Sequence, residues 1–172
     1  MGVAFSVAQL IPVGARSNPP VDSTLTIEAN MHLPQNVQKV FDKACRNCHS
    51  NITEWPWYSK IAPMSWLVAK DVTRARNIMN LSEWSAQAGR TPQSAIGVLT
   101  AACSGIQSGR MPLPQYVLLH PEAKLTAEDK AAFCSWSVQE TRQLVQQIRK
   151  PKLKTSVNHS TTKEASKVSA TS

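Results

Sequence analysis

Long apolar runs, strand-like alternation and abundant cysteine are all missing from this sequence. Its 172 residues contain no stretch approaching the ~18 to 20 uninterrupted apolar residues of a bilayer span, which excludes a complete transmembrane helix within them. Four cysteines are too few for a disulfide scaffold. No segment alternates apolar and polar residues over a useful length, so the residue pattern predicts an all-α fold.

Acidic residues are also scarce, with 11 Asp and Glu against 19 Lys and Arg and a formal net charge of +8. Between Arg149 and Ser172 there are six basic residues and a single acid, Glu164, so the C-terminal segment carries most of this excess. This segment has no aromatic residue, and such a composition predicts a disordered basic tail over residues 149–172. A weak contact with anionic surfaces is the interaction that we expect of it. A basic face with interleaved aromatic residues is missing from the rest, so we expect no nucleic-acid partner.

Residues 1–29 are interpreted as the remnant of an export or anchor segment followed by an extended linker. The stretch from Met1 to Ala15 is apolar but short, and no basic residue precedes it as in a complete signal peptide. Asn18-Pro19-Pro20 then predicts extended backbone, because a residue before proline avoids helical angles. Association of this segment with a membrane is one interpretation. The alternative is a hydrophobic N-terminus that has no role in export or anchoring.

Residues 30–148 are predicted to form one helical domain. After Pro34 an amphipathic helix is indicated by apolar residues at helical spacing, namely Val37, Val40, Phe41, Ala44 and Cys48. Further helices are predicted over residues 68–78, 91–106 and 126–148, with a restart at residues 80–84 for which Ser82 is the candidate N-cap. The proline-rich segments 51–66 and 109–121 are predicted to be loops and turns.

The segment Cys45-Arg46-Asn47-Cys48-His49 has the C-x-x-C-H spacing of c-type haem attachment. Two thiols that add to the two vinyl groups of one porphyrin must lie about one helical turn apart on one side. The next residue, His49, is then placed to bind the iron. A zinc site would need a second, closely spaced ligand pair, and a redox dithiol would need a βαβ unit; the sequence offers neither. One covalently bound haem c is the predicted cofactor.

The second axial ligand is expected from a distant loop, and Met111 is the first candidate. It lies in Gly109-Arg110-Met111-Pro112-Leu113-Pro114, where glycine permits a close approach and the prolines restrict the backbone that presents the thioether. The alternatives are His120, Met64 and Met79, and helical packing explains the two methionines equally well.

Together these residues resemble the haem-binding domain family of bacterial single-haem, cytochrome c-like proteins. The matching segments are Asn18-Pro19-Pro20, residues 45–67 with their WPWYS stretch, Asn80-Leu81-Ser82-Glu83-Trp84, residues 109–125 with MPLPQY, and Trp136. The resemblance implies a cytochrome c-like helical domain around one haem held by Cys45 and Cys48. It also implies His49 as one axial ligand, with Met111 the matching candidate for the other. Members commonly begin with a membrane-spanning segment, and the run from Ala8 to Pro12 is similar to its end.

Several aromatic and basic residues are secondary candidates for contacts with the haem. Trp57 and Tyr58, together with Trp55 and Trp66, are expected to wall the haem or to donate to a propionate; plain packing beneath a loop is the alternative. Arg76 or Arg90 is a candidate partner for a propionate, against the alternative of a solvated side chain.

Two further contacts concern the surroundings of the motif. A carbonyl in residues 61–63 is the expected acceptor for the Nδ1–H of His49, since ligating histidines generally donate their other ring nitrogen. Haem attachment of this type implies an oxidising compartment, in which Cys103 and Cys134 are compatible with a disulfide. Two separate buried thiols are the alternative.

We therefore expect a periplasmic monohaem cytochrome that passes single electrons to a protein redox partner, with inner-membrane anchorage as an option. An iron with two axial ligands has no open position, so we expect no enzymatic turnover. Two alternatives remain. One is a haem-based sensor or small-gas binder in which Met111 is displaceable, and the other is an accessory haem domain that docks onto a larger enzyme.

Overall fold

A computed structural model describes Ser6, Gln9 and residues 16–168, with side chains up to Lys150. Over this part of the chain the regular structure is helical and contains no strand, so the all-α prediction is confirmed. Three short 3-10 turns cover Trp57–Lys60, Leu81–Glu83 and Pro121–Ala123. The helices are α1 (Ile27–Asn30), α2 (Gln35–Ala44), α3 (Arg46–His49), α4 (Met64–Ile78), α5 (Pro92–Gln107), α6 (Pro114–Leu119) and α7 (Ala127–Val168).

Two helix starts follow from capping residues that the sequence already displays. Thr91 caps α5 by accepting from the backbone N–H of Ser94 at 3.1 Å, and Pro92 occupies the first helical position. At the start of α7, the Thr126 hydroxyl accepts from Asp129 N at 3.1 Å, while the Asp129 carboxylate accepts from Thr126 N at 2.9 Å. This reciprocal pair is a capping box in which Asp takes the place of the usual Glu or Gln.

Four predicted boundaries between residues 35 and 121 were wrong. Helix α4 begins at Met64 and not at residue 68, so the end of the predicted loop 51–66 is helical. The helix expected to run through the C-x-x-C-H motif ends at Ala44 and restarts at Arg46, because Cys45 has φ −120° and ψ −44°. The 80–84 segment is a 3-10 turn capped by Asn80, whose Oδ1 accepts from Ser82 N at 3.0 Å; Ser82 is not the cap. Residues 109–121 are not wholly extended, since Pro114 begins the short helix α6.

The final helix extends further than its apolar pattern predicted. Its backbone is helical as far as Val168, whereas the sequence predicted an end near Ile148. The side chains of residues 151–168 and all of residues 169–172 lie outside the described part, so disorder of the basic tail stays a prediction. Most of Met1–Ala15 also lies outside it, and the export or anchor interpretation stays a prediction as well. None of the described helices is both long enough and apolar enough to cross a membrane.

The core forms where α2 and α5 pack against α7. Three rings from α2 and α7 meet edge to face, with centroids 5.4 to 5.7 Å apart: Phe41, Phe133 and Trp136. All three are buried, and such contacts stabilise beyond simple burial of area. A disulfide between Cys103 and Cys134 joins α5 to α7. This bond resolves the two options left open by the sequence and ties together the helices behind the motif.

Candidate cofactor site

The C-x-x-C-H segment forms a single turn directly after α2. The N–H of Cys48 and the N–H of His49 both donate to the Cys45 carbonyl, at 3.1 and 2.9 Å. The two thiols and the imidazole are therefore at positions i, i+3 and i+4 of one turn and lie on one side of it. This is the spacing that two-point attachment beside an iron ligand requires.

Two adjoining cavities open beside this turn, with volumes of about 490 and 230 Å³. The inner cavity, of 230 Å³, is bordered by Cys45 and by buried core residues that include Met79, Ile106 and Phe133. The outer cavity, of 490 Å³, is bordered by Cys48 and by polar residues that include Asp71, Arg74 and Arg110. Five residues border both cavities: Ala44, His49, Ile78, Met111 and Pro112. Cavities of this combined size are in the range that small-molecule cofactors occupy.

His49 is held by a backbone carbonyl. Its Nδ1–H donates to the carbonyl of Met79 at 3.0 Å, so the expected acceptor in residues 61–63 was wrong. Since a carbonyl oxygen can only accept, this contact puts the ring proton on Nδ1 and leaves the lone pair on Nε2. Burial lowers the pKa of His49, although the contact with Met79 acts in the opposite direction. A neutral ring with a free Nε2 is the form that binds iron.

The two thiols of the motif are free and are kept protonated by their surroundings. Burial raises the pKa of Cys45 to about 12, and the neighbouring Cys48 adds to this effect. Burial likewise raises the pKa of Cys48 to about 11, with a further contribution from Asp71. Among the described residues no three His, Cys, Asp or Glu side chains are grouped so that they could hold a metal ion. The pair therefore lacks the additional ligands of a zinc site.

Met111 reaches the cavities from a turn that folds back onto α5. Its N–H donates to the carbonyl of Gly105 at 3.0 Å, and Gly109 turns the chain with φ +70°. A Cβ on Gly105 would lie 3.4 Å from Cγ of Met111, an ordinary van der Waals distance, so the Met111 side chain packs directly against the backbone of α5. The Met111 side chain borders both cavities and is 39% exposed.

The alternative ligands are less well placed than Met111. Met64 and His120 line a smaller cavity of about 60 Å³, which shares Cys48 with the outer cavity, and border neither of the two larger ones. Both ring nitrogens of His120 are already engaged, Nε2 with the Tyr58 hydroxyl at 2.7 Å and Nδ1 with Glu122 at 2.9 Å. Met79 borders the inner cavity, but its carbonyl contacts Nδ1 of His49 and so lies beside that ring.

The aromatic candidates do not line the two larger cavities. Trp57 is 74% exposed, and Tyr58 lines the small third cavity, where Cys48 is its neighbour. Trp55 donates through Nε1 to the side chain of Asn18 at 3.2 Å. Trp66 Nε1 is buried without a hydrogen-bond partner among the described residues, and its side chain borders none of these cavities.

The arginines have different roles from those suggested by sequence. Arg76 donates to the carbonyls of Ser50 and Ser17 and to the side chains of Asn18 and Thr53, at 2.8 to 2.9 Å. Its guanidinium therefore fastens the N-terminal linker to the end of the motif and is not available to a propionate. Arg90 borders neither larger cavity. Sequence reasoning missed Arg74 and Arg110, which border the outer cavity, because nothing in their local pattern separates them from other arginines.

Similarity to known families agrees with this geometry. The model of the haem-binding domain family matches residues 3–139, which include the C-x-x-C-H turn, Met111 and the core of the fold. Neither a curated protein nor a solved structure shows significant similarity to the chain. Because the match covers most of the sequence and cavities of about 490 and 230 Å³ lie beside Cys45, Cys48 and His49, the chain belongs to the haem-binding domain family and binds haem.

Proposed function

We propose that the chain is a c-type monohaem cytochrome that transfers single electrons, with His49 and Met111 as axial ligands. One observation carries the proposal: His49 and Met111 border the same two cavities, while Cys45 and Cys48 border one each. A nitrogen ligand, a sulfur ligand and two thiols thus surround one space. When bound there, haem supplies an iron that alternates between the ferric and ferrous states.

Covalent attachment requires the thiols in the form that the protein maintains. On haem binding, each S–H would add across one vinyl group, so that the sulfur would bond to one carbon and the hydrogen would go to the other. No electron is gained or lost, and no additional reactant is consumed. The raised pKa values of Cys45 and Cys48 keep the hydrogen on sulfur until this addition.

The remaining residues of the site favour a raised reduction potential. The inner cavity is bordered by apolar side chains such as Leu125 and Phe133, which exclude water and disfavour the more highly charged ferric form. A methionine sulfur opposite a histidine also raises the potential relative to harder ligands. With both axial positions filled, the site is suited to electron transfer and not to substrate turnover.

Arg74 and Arg110 are the candidate partners for the two haem propionates. Both are exposed at the border of the outer cavity, and neither forms an ion pair with a carboxylate among the described residues. Arg110 only donates from Nε to the Ser108 hydroxyl at 3.0 Å, so the rest of its guanidinium can bind a carboxylate.

Removal of either arginine is expected to lower the reduction potential. In Arg74→Gln and Arg110→Gln the equilibrium constant for reduction should fall by up to about fivefold, since a partly exposed charge pair contributes about 1 kcal/mol or less. A spectroelectrochemical titration measures it, with Arg90→Gln as the charge-matched control. A potential that stays at the value of the control in both variants contradicts the assignment.

The proposed setting is the periplasm, with a protein as the redox partner. The Cys103–Cys134 disulfide supports this, because such bonds persist in oxidising compartments. The apolar residues before Ala15 favour an association with the inner membrane, and the basic tail favours a weak contact with an anionic surface.

The proposal is tested by carbon monoxide binding to the ferrous protein. We expect slow and incomplete binding at neutral pH, because the Met111 sulfur has to leave before CO can bind, together with fast electron exchange with a small redox protein. Rapid, complete CO binding would instead identify a gas binder or sensor. Slow CO binding without electron exchange with any redox partner would identify an accessory haem domain of a larger enzyme.

A further inference from the structure

A buried amide pair lies directly behind the carbonyl that holds His49. The pair consists of Asn51 and Asn80, whose exposed fractions are 1% and 2%. Asn80 Nδ2 donates to Oδ1 of Asn51 at 2.8 Å, and Oδ1 of Asn80 accepts from the N–H of Ser82 at 3.0 Å. The Asn80 side chain therefore uses both its donor and its acceptor function inside the protein, where a lost partner is costly.

Hydrogen bonds also hold both the backbone and the side chain of Asn51. Its N–H donates to the Ser82 hydroxyl at 3.0 Å, and its Nδ2 donates to the Glu83 carboxylate at 2.9 Å. Ser50, which precedes it, is fully buried; its hydroxyl donates to the carbonyl of Arg46 at 2.7 Å, and its own carbonyl accepts from Arg76 Nε at 2.8 Å. The backbone that follows His49 thus has little freedom to shift.

These contacts close a ring that contains the His49 ligand. Met79 is the first residue after α4, and its carbonyl belongs to the peptide group shared with Asn80. From His49 the ring runs along the backbone to Asn51 and across the amide pair to Asn80. It then passes to the Met79 carbonyl and returns through the 3.0 Å hydrogen bond to His49 Nδ1. Immobilising Asn80 therefore orients the acceptor of the His49 proton.

We propose that Asn51 and Asn80 are positioning residues that set the orientation and electron donation of the His49 imidazole, and through them the reduction potential of the haem. The inference rests on the proposed function, in which His49 binds the iron. A strong hydrogen bond at Nδ1 increases the basicity of Nε2, and a more basic ligand favours the ferric state. A displaced Met79 carbonyl weakens that hydrogen bond and makes Nε2 less basic. The ferrous state is then stabilised relative to the ferric state.

The test compares Asn51→Ala, Asn80→Ala and the double variant in the full-length haem-loaded protein. We expect each variant to increase the equilibrium constant for reduction by roughly threefold, or about 28 mV at 59 mV per tenfold for a one-electron couple. The double variant should show the shift of one single variant, because both substitutions open the same ring. The paramagnetically shifted haem methyl resonances of the ferric protein should also move, since they report the plane of the axial imidazole.

Ser137→Ala is the control for a purely structural role. Ser137 is 2% exposed and its hydroxyl donates to the Leu99 carbonyl at 3.0 Å, between α7 and α5 and outside the ring. This variant should lose stability without a change in potential or in the methyl resonances. Should an alanine variant of the pair fail to fold, Ser82→Ala removes the hydroxyl that accepts from the Asn51 N–H beside the ring, and a smaller shift of the same sign is expected.

The outcomes separate the inference from the function on which it rests. In one outcome, haem is attached and bound by His49, but the Asn51 and Asn80 variants have the same potential and methyl resonances as Ser137→Ala. This outcome overturns the inference and leaves the proposed function standing. Shifts that are fully additive in the double variant also overturn it. A wild-type protein whose haem is not bound by His49 overturns both.

Discussion

Cys45→Ser combined with Cys48→Ser is expected to abolish covalent haem attachment. A serine hydroxyl does not add to a vinyl group under conditions in which a thiol does, so neither bond to the porphyrin can form. The haem of the double variant should be extracted by acidified organic solvent and lost in a denaturing gel. Each single variant should keep one bond. The pyridine haemochrome spectrum reports the number of saturated vinyl groups directly, with two expected in the wild type.

The other two cysteines provide the matched control. Cys103→Ala with Cys134→Ala also removes two cysteines, but these join α5 to α7 and do not border the two larger cavities. This variant should keep both bonds to haem while its free energy of unfolding falls by about 2–4 kcal/mol. Haem that remains covalently bound in the Cys45/Cys48 double variant would refute the assignment of these thiols.

Met111→Ala is expected to leave the iron without its sulfur ligand. The ferric protein should lose the weak near-infrared band of thioether-bound haem. The equilibrium constant for reduction should fall by at least about tenfold, which is 59 mV for a one-electron couple. The physical reason is that a thioether stabilises the ferrous state more than the water or hydroxide that would replace it. Absorption spectroscopy and a redox titration measure the two effects.

Met64→Ala is the control for this substitution, because Met64 borders the small third cavity and neither of the two larger ones. It should retain the near-infrared band and the potential. Retention of the band in Met111→Ala would show that another residue binds the iron. Loss of the band in Met64→Ala would identify Met64 as the ligand. A wild-type ferric protein without the band, whose low-spin spectrum is lost in His120→Ala, would identify His120, despite its contacts with Tyr58 and Glu122.

Some local features were predicted correctly, namely Pro92 at the start of α5, the Thr126 cap of α7 and the C-x-x-C-H turn, because the short-range pattern contains the information. Other local features were not: Asn80 and not Ser82 caps the 3-10 turn, and α4 begins at Met64. Met111 was selected from its glycine and proline neighbours, and the structure brings it to the cavities beside His49. Its role as a ligand remains a proposal.

The contacts that sequence reasoning got wrong all involve backbone atoms or side chains without a local signature. The acceptor for His49 is the carbonyl of Met79, and every residue has a carbonyl, so side-chain identity does not indicate which one is used. The sequence suggested Arg76 as a partner for a propionate, but in the structure its guanidinium donates to four backbone and side-chain acceptors. Trp57 is exposed although its size favours burial, because the turn that carries it lies at the surface.

The sequence by itself determined the helical class, the C-x-x-C-H turn and the family to which the chain belongs. These depend on spacing between residues close in the chain, which backbone geometry converts directly into position. Only the tertiary structure decided what surrounds His49: the Met79 carbonyl, the ring through Asn51 and Asn80, and the arginines at the outer cavity. Such contacts join segments about 30 residues or more apart, and their partners are chosen by how the helices pack around the core, which no local pattern encodes.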